Sequence, residues 1–218
     1  MSIAQPSAII ESSIIMFKEY LDGINQRGVI LASASMGRKR LLTSMGINFE
    51  VEVSGFPEDR DWRGFPSAES YALFNAREKL KAINSPSVVI AADTVVFAEN
   101  QVFEKPADKE DLKRMMRAYS GKTHEIMTAI IVKGTITQEV IDKTLVTIDE
   151  LTEEDIECIA ESPEEWEGRA GGYSINGKLG CTLFKGINGS FNTVIGLPTF
   201  QLAKMLINEH KAYLQSLG

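Results

Sequence analysis

Residues 31–42 read Leu-Ala-Ser-Ala-Ser-Met-Gly-Arg-Lys-Arg-Leu-Leu. An apolar strand end is followed by two hydroxyls, Ser33 and Ser35, and then by three cations that open an amphipathic helix. Hydroxyls and free backbone N–H groups at a helix N-terminus present donors and a positive dipole end to an anion, and Arg38 adds a planar fork of charged donors. Taken alone, the same residues also read as a helix cap. Farther along stand the loop acids Glu58 and Asp59, Asp93 after an apolar run, and Lys105 in a Glu-Lys-Pro turn. A hydrolase acting on a polyphosphate needs carboxylates to hold a hard divalent cation and orient water, and cations to neutralise the phosphate oxygens. These residues supply both halves, although each singly could be a cap, a snorkelling lysine or a solvated loop charge.

The elements that must position them are set by periodicity and punctuation. Ile10, Ile14, Phe17 and Leu21 recur at helical spacing, which predicts a helix over 7–23 that stops at Asp22-Gly23 and precedes the main fold. A short strand over 28–32 leads into a helix over 38–44, and 48–54 alternates as a second strand. Residues 55–66 carry two prolines and two glycines with mixed charge, marking an exposed loop able to close over a ligand. Ser67 caps a helix running to about Ile83. The run 88–92 predicts a buried strand that delivers Asp93 to its C-terminal end, where open α/β sheets bind ligands. A hairpin over 94–103 and a helix from Asp108 to Tyr119 come next, then long antiparallel strands over 124–132 and 139–148. Thr152 to Asp155 approximates a capping box. Strands at 181–184 and 193–195 and a last helix over 198–210 complete an α/β pattern with a mixed sheet. The organisation expected is an N-terminal helical extension, 1–27, and one catalytic domain, 28–218, without an internal repeat or linker.

Composition narrows the partners. With 218 residues, 44% hydrophobic, and a net charge of −7, the chain can bury a sizeable core but offers no broad basic surface for a nucleic-acid polymer. A small anion in a local pocket of Lys and Arg fits better. Cys158 and Cys181 lack metal or disulfide spacing, so buried thiols in a reducing compartment are expected. No stretch reads as a membrane span or a cleaved leader, and a cytoplasmic location is expected. The run Gly172 to Leu179 nearly spells a P-loop, but Leu179 replaces the hydroxyl that holds magnesium. Asn188-Gly189-Ser190 matches a glycosylation acceptor and reads as a turn.

Taken together, the motifs resemble the Maf family of nucleoside triphosphate pyrophosphatases, named for septum formation. The L-A-S-x-S-x-x-R-x-x-L-L hallmark stands at Leu31 to Leu42, A-x-x-K at Ala76 to Lys79, A-D-T at Ala92 to Thr94, and E-K-P-x-D at Glu104 to Asp108. S-G-x-x-H stands at Ser120 to His124, A-G-x-Y-x-I-x-G at Ala170 to Gly177, and V-x-G-L-P at Val194 to Pro198. The resemblance implies a two-lobed fold similar to that of inosine triphosphate pyrophosphatases, with a deep cleft between the lobes, a divalent metal (Mg or Mn) and a homodimer. It implies conversion of a nucleoside triphosphate to the monophosphate plus pyrophosphate. On that reading Ser33, Ser35 and Arg38 grip the triphosphate and Lys79 and Lys105 balance its charge. Glu58 and Asp93 share metal binding and water activation, with Asp93 the main catalytic carboxylate and Asp59 an alternative to Glu58. Thr94 and Asn176 contact substrate, while His124 reads either as a structural hydrogen bond at a strand start or as a group that polarises a phosphate. Thr94 and Tyr173 resemble the dTTP/UTP subgroup rather than the 7-methyl-GTP subgroup. Gly37 and Asn176 depart from it, where Arg and Gln are usual, and Arg169 stands in place of the usual Lys. Base choice therefore stays open, as does a weakly catalytic nucleotide-binding regulator of cell division.

Overall fold

In the computed structural model, which describes residues 13–58 and 60–218, the sheet is organised around one long strand. The first helix, α1 (Ser13–Gln26), leads to β1 (Val29–Leu31), α2 (Met36–Ser44) and β2 (Glu50–Val51). Then come α3 (Ala68–Lys81), β3 (Val88–Ala98), β4 (Gln101–Phe103) and α4 (Lys109–Tyr119). The strands β5 (Thr123–Lys133) and β6 (Thr137–Ile148) precede α5 (Glu153–Ala160), α6 (Pro163–Trp166), α7 (Gly180–Leu183) and β7 (Phe184–Asn188). The chain closes with α8 (Phe191–Ile195) and α9 (Thr199–Ser216). The strands form a mixed seven-stranded sheet in the order β2-β1-β3-β5-β6-β7, with β4 paired to β3. Only β1 pairs in parallel, with β2 and β3; the remaining pairs are antiparallel.

Three apolar cores surround the sheet. Leu31, Ile90, Ile130 and Leu202 bury one face under α1, α2 and α9, while Ala91, Val95 and Ile131 bury the other under Tyr71, Ala72 and Ala76 of α3. A third core, around Phe103, Met116, Ile126, Ile148 and Trp166, lies toward the other end of the long strands under α4, α5 and α6. The mixed α/β architecture is therefore the expected one, its two halves joined by β3, β5 and β6.

Local signals account for most element boundaries. Ser35, Ser67 and Asp108 each accept a hydrogen bond from a first-turn backbone N–H, and Thr152 with Asp155 forms a complete capping box. The hairpin expected over 94–103 forms at Glu99 and Asn100, both at positive φ, as a two-residue turn between antiparallel strands requires.

Five expectations are corrected. Helix α1 does not stop at Gly23: a Cβ there would meet His210 Cε1 at 2.5 Å, so this glycine permits close packing on α9 instead. Only Glu50 and Val51 of the 48–54 segment pair as strand. The β-branched run 193–195 is helical, because Ser190 caps α8 and Gly196 ends it at φ 109°. Residues 180–183 form α7, and the strand begins at Phe184, where its pairing with β6 starts. Both cysteines are exposed rather than buried: α5 turns Cys158 outward, and Cys181 donates its thiol to the Lys178 carbonyl at 3.1 Å. Residues 7–12 of the predicted first helix, and Asp59, lie outside the described residues. No helix among the described residues is long and apolar enough to cross a membrane.

Candidate active site

Asp93 was expected at a strand end, yet it lies inside β3, which continues to Ala98. Its exposure to a ligand comes from its neighbour. The parallel partner β1 ends at Leu31, opposite Ile90, and the chain then turns away through Ser33, so an edge of β3 opens beside Asp93 and Thr94. Because successive strand residues point to opposite faces, Asp93 turns toward α3 while Thr94 turns toward α2 and α8. A cavity of about 910 Å³ reaches both side chains. That volume suits a nucleotide.

On the Asp93 side, one row of α3 meets a row of acids. Tyr71, Asn75 and Lys79 are spaced i, i+4, i+8 and share a helix face. Tyr71 donates its hydroxyl to Glu104, and Asn75 Nδ2 donates to Asp93 Oδ2 at 3.2 Å. Lys79 Nζ lies 2.5 Å from Asp93 Oδ1 and 2.7 Å from Glu58 Oε1. Lys105 Nζ reaches Glu58 Oε2 at 3.2 Å. Burial pushes the Glu58 carboxyl upward, but Lys79 and Lys105 outweigh it and leave the group below its ordinary value. Glu104 moves the other way: burial raises it, Tyr71 opposes, and the nearby charges of Asp93 and Glu58 raise it further.

Arg38 organises the other side. Its Nη1 donates to Ser33 Oγ at 2.9 Å, Nη2 to Thr94 Oγ1 at 3.0 Å, and Nε to the Gly196 carbonyl at 2.8 Å. Burial lowers its affinity for the proton, opposed by the charges of Asp93 and Glu58. The Thr193 carbonyl sets the hydroxyl directions. Thr128 donates to it at 2.9 Å and lies 3.0 Å from Thr94, so Thr94 must donate to Thr128 while accepting from Arg38. Thr94 therefore spends its proton within the fold and has only an acceptor lone pair to offer a ligand. Ser35, the cap of α2, and Asn176, exposed on the opposite wall, also line the cavity.

The site residues expected from sequence, Ser33, Ser35, Arg38, Glu58, Lys79, Asp93, Thr94, Lys105 and Asn176, all border this one cavity. His124 does not; its Nε2 lies 2.6 Å from the hydroxyl of Tyr173, a cavity-wall residue, which makes it a structural support. The near P-loop at 172–179 holds no phosphate-cradling turn: the Lys178 N–H donates to buried Glu165 at 2.7 Å. Sequence reasoning missed Tyr71, Asn75 and Glu104. The i, i+4 spacing of the first two with Lys79 was the available signal.

The family model described as Maf-like protein matches residues 28–209. The chain belongs to the Maf-like protein family. It is 40% identical, over 185 residues covering 82% of this chain and 91% of the relative, to a dTTP/UTP pyrophosphatase of Escherichia coli strain 536. It is 38% identical over the same spans to a nucleoside triphosphate pyrophosphatase of Shigella flexneri. A solved structure of the Staphylococcus aureus Ham1 protein overlaps 88% of this chain and 100% of its own, with 16% identity and a TM-score of 0.39.

The carboxylates fit a divalent cation. Glu58 and Asp93 already converge on one positive centre, the Lys79 ammonium, and their hard oxygens match Mg or Mn. No cluster of three or more His, Cys, Asp or Glu suited to an ion occurs among the described residues. Two carboxylates with phosphate oxygens and water completing the shell is the way Mg is commonly held in phosphate-handling enzymes.

Proposed function

We propose that this member of the Maf-like family is a nucleoside triphosphate pyrophosphatase acting on dTTP and UTP, and that it cleaves the bond between the α and β phosphorus atoms to release monophosphate and pyrophosphate. The observation that carries the reading is the single cavity with the Arg38–Ser33–Ser35 cluster on one side of β3 and the Glu58–Asp93–Lys79–Lys105 cluster on the other. The pyrimidine preference rests on the named activity of the Escherichia coli relative and on Thr94.

The chain's residues divide the work. Arg38, held rigidly by three hydrogen bonds, keeps further N–H groups for phosphate oxygens at the positive end of α2. Asp93, buried and oriented by Asn75, accepts a proton from water directed at the α-phosphorus. Lys79 is drawn from its carboxylates toward substrate oxygens, and Lys105 balances charge on the departing pyrophosphate. A divalent ion held by Glu58 and Asp93 would supply charge neutralisation on the phosphates and a more acidic water. A metal requirement, a homodimer and a cytoplasmic location belong to the same proposal.

The test is incubation with a nucleotide panel that includes UTP, dTTP and 7-methyl-GTP, with Mg²⁺ or Mn²⁺, and separate assays for pyrophosphate and orthophosphate. Pyrophosphate and monophosphate from UTP and dTTP are expected. Orthophosphate with a diphosphate product would refute the bond assignment; preference for 7-methyl-GTP would refute the pyrimidine reading; tight binding without products would indicate a regulator.

A further inference from the structure

The exposed row of α2 continues the cavity beyond Ser35 and Arg38. Met36, Arg40 and Ser44, spaced i, i+4, i+8, are all exposed and all border the cavity, facing the 53–56 segment that leads into Glu58. Gly37, beside them, has no room for a side chain: a Cβ there would meet Ile195 Cγ2 at 2.8 Å and the Ile195 carbonyl at 3.1 Å. A cation on this face of the helix must therefore come from the next turn, and Arg40 is there.

The state of the other cavity cations distinguishes Arg40. Arg38 is tied by three hydrogen bonds, Lys79 by two carboxylates, Lys105 by Glu58, and Arg169 by the Glu164 carbonyl at 2.8 Å. Arg40 makes no hydrogen bond or ion pair with the described residues. Among the described residues of the cavity wall, five cations stand against the three carboxylates Glu58, Asp93 and Glu167, and Arg40 is one of the two cations in excess. A triphosphate accompanied by one divalent ion carries roughly two negative charges that need such an excess.

We propose that Arg40 is a further substrate-binding residue that contacts the outer phosphates of a bound nucleoside triphosphate and not its base or sugar. This rests on the triphosphate reading of the same cavity. It makes Arg40 a discriminator of triphosphate over monophosphate: it holds the substrate and loses its grip on the monophosphate product, which has no outer phosphates.

The test compares wild type with Arg40→Ala by titration calorimetry in Mg²⁺, using a uridine triphosphate analogue with a methylene between the α and β phosphorus atoms, and UMP. Arg40→Ala should raise the Kd of the analogue about tenfold, less at high salt, and that of UMP by under about twofold. Lys39→Ala, altering the neighbouring cation that does not border the cavity, should change neither. Equal weakening for both ligands would assign Arg40 to the base or sugar and overturn the proposal. Unchanged binding of the analogue, or failure of the wild-type protein to bind it, overturns it as well. Because the analogue reports binding without turnover, wild-type protein that binds it selectively through Arg40 but releases no pyrophosphate from UTP would refute the enzymatic reading and leave this one standing.

Discussion

Replacing Lys79 by Met removes the cation that pairs with both Glu58 and Asp93. The ammonium lies 2.5 Å from Asp93 and 2.7 Å from Glu58, and its side chain is only 8% exposed against 6% for Asp93. Each such contact is worth about 6 kcal/mol of gross attraction at an effective dielectric near 20, most of it offset by the cost of burying the charges. Breaking a buried pair strands its partner and costs about 3–5 kcal/mol; Glu58 can turn to Lys105 and water, which places the expected loss near 3 kcal/mol. Urea unfolding at pH 7.5 reads this directly. The variant Lys79→Met/Asp93→Asn should recover at least about 1.5 kcal/mol, since the stranded charge is gone while Asn75 still has a partner. The deficit should also narrow on acidification. Lys79 is the chief opponent of burial at Glu58, whose folded pKa lies below 4.5; that group's stabilisation is present above pH 4.5 and is lost as pH falls through the folded value. A single variant within about 0.5 kcal/mol of wild type, or no recovery in the double variant, would refute the claim that this ammonium holds the acids together.

Asp93→Asn should abolish pyrophosphate release while preserving the far-UV circular dichroism spectrum; retained turnover removes Asp93 as the proton acceptor. Thr128→Val deletes the hydroxyl that takes the Thr94 proton, and should cost about 1–2 kcal/mol in urea unfolding and raise KM through a loosened Arg38. Burial pushes the His124 imidazole down to about 4 from 6.5, so its folded form resists protonation and the associated stability is present above pH 6.5 and lost as pH falls toward 4. His124→Gln should flatten the pH dependence of unfolding in that window, by at most about 3 kcal/mol. Gly171→Ala forces a side chain at φ 75° and to within 2.6 Å of Val96 Cγ2; a loss of about 1–3 kcal/mol and a raised KM, from displacement of the wall carrying Asn176, are expected in denaturation and steady-state assays.

Residue types and spacing in the sequence, together with the motifs shared with the Maf family, named the residues that the fold gathers at one cavity. Ser33, Arg38, Asp93 and Lys105 were legible because phosphate chemistry demands particular residue types, and a helix cap, an apolar run and a proline turn in the sequence stand beside them. Apolar runs likewise made β3 and β5 readable, since nearly every residue along them is buried, and the Ser67 cap marked the start of α3. What folding in three dimensions decided was connection. Asp93 sits within a strand and meets the cavity only because β1 ends beside it. Thr94, read as a substrate contact, borders the cavity and is also committed to Arg38 and Thr128, which leaves it an acceptor only. Residues 180–183 became helical because the strand register with β6 begins only at Phe184, and 193–195 because Ser190 caps α8 and Gly196 ends it, against a local β-branched or apolar signal. Residue type and local period are properties of the chain; which donor satisfies which acceptor, and which strand end leaves a cavity open, depends on neighbours far along it, 158 positions away in the case of Arg38 and Gly196.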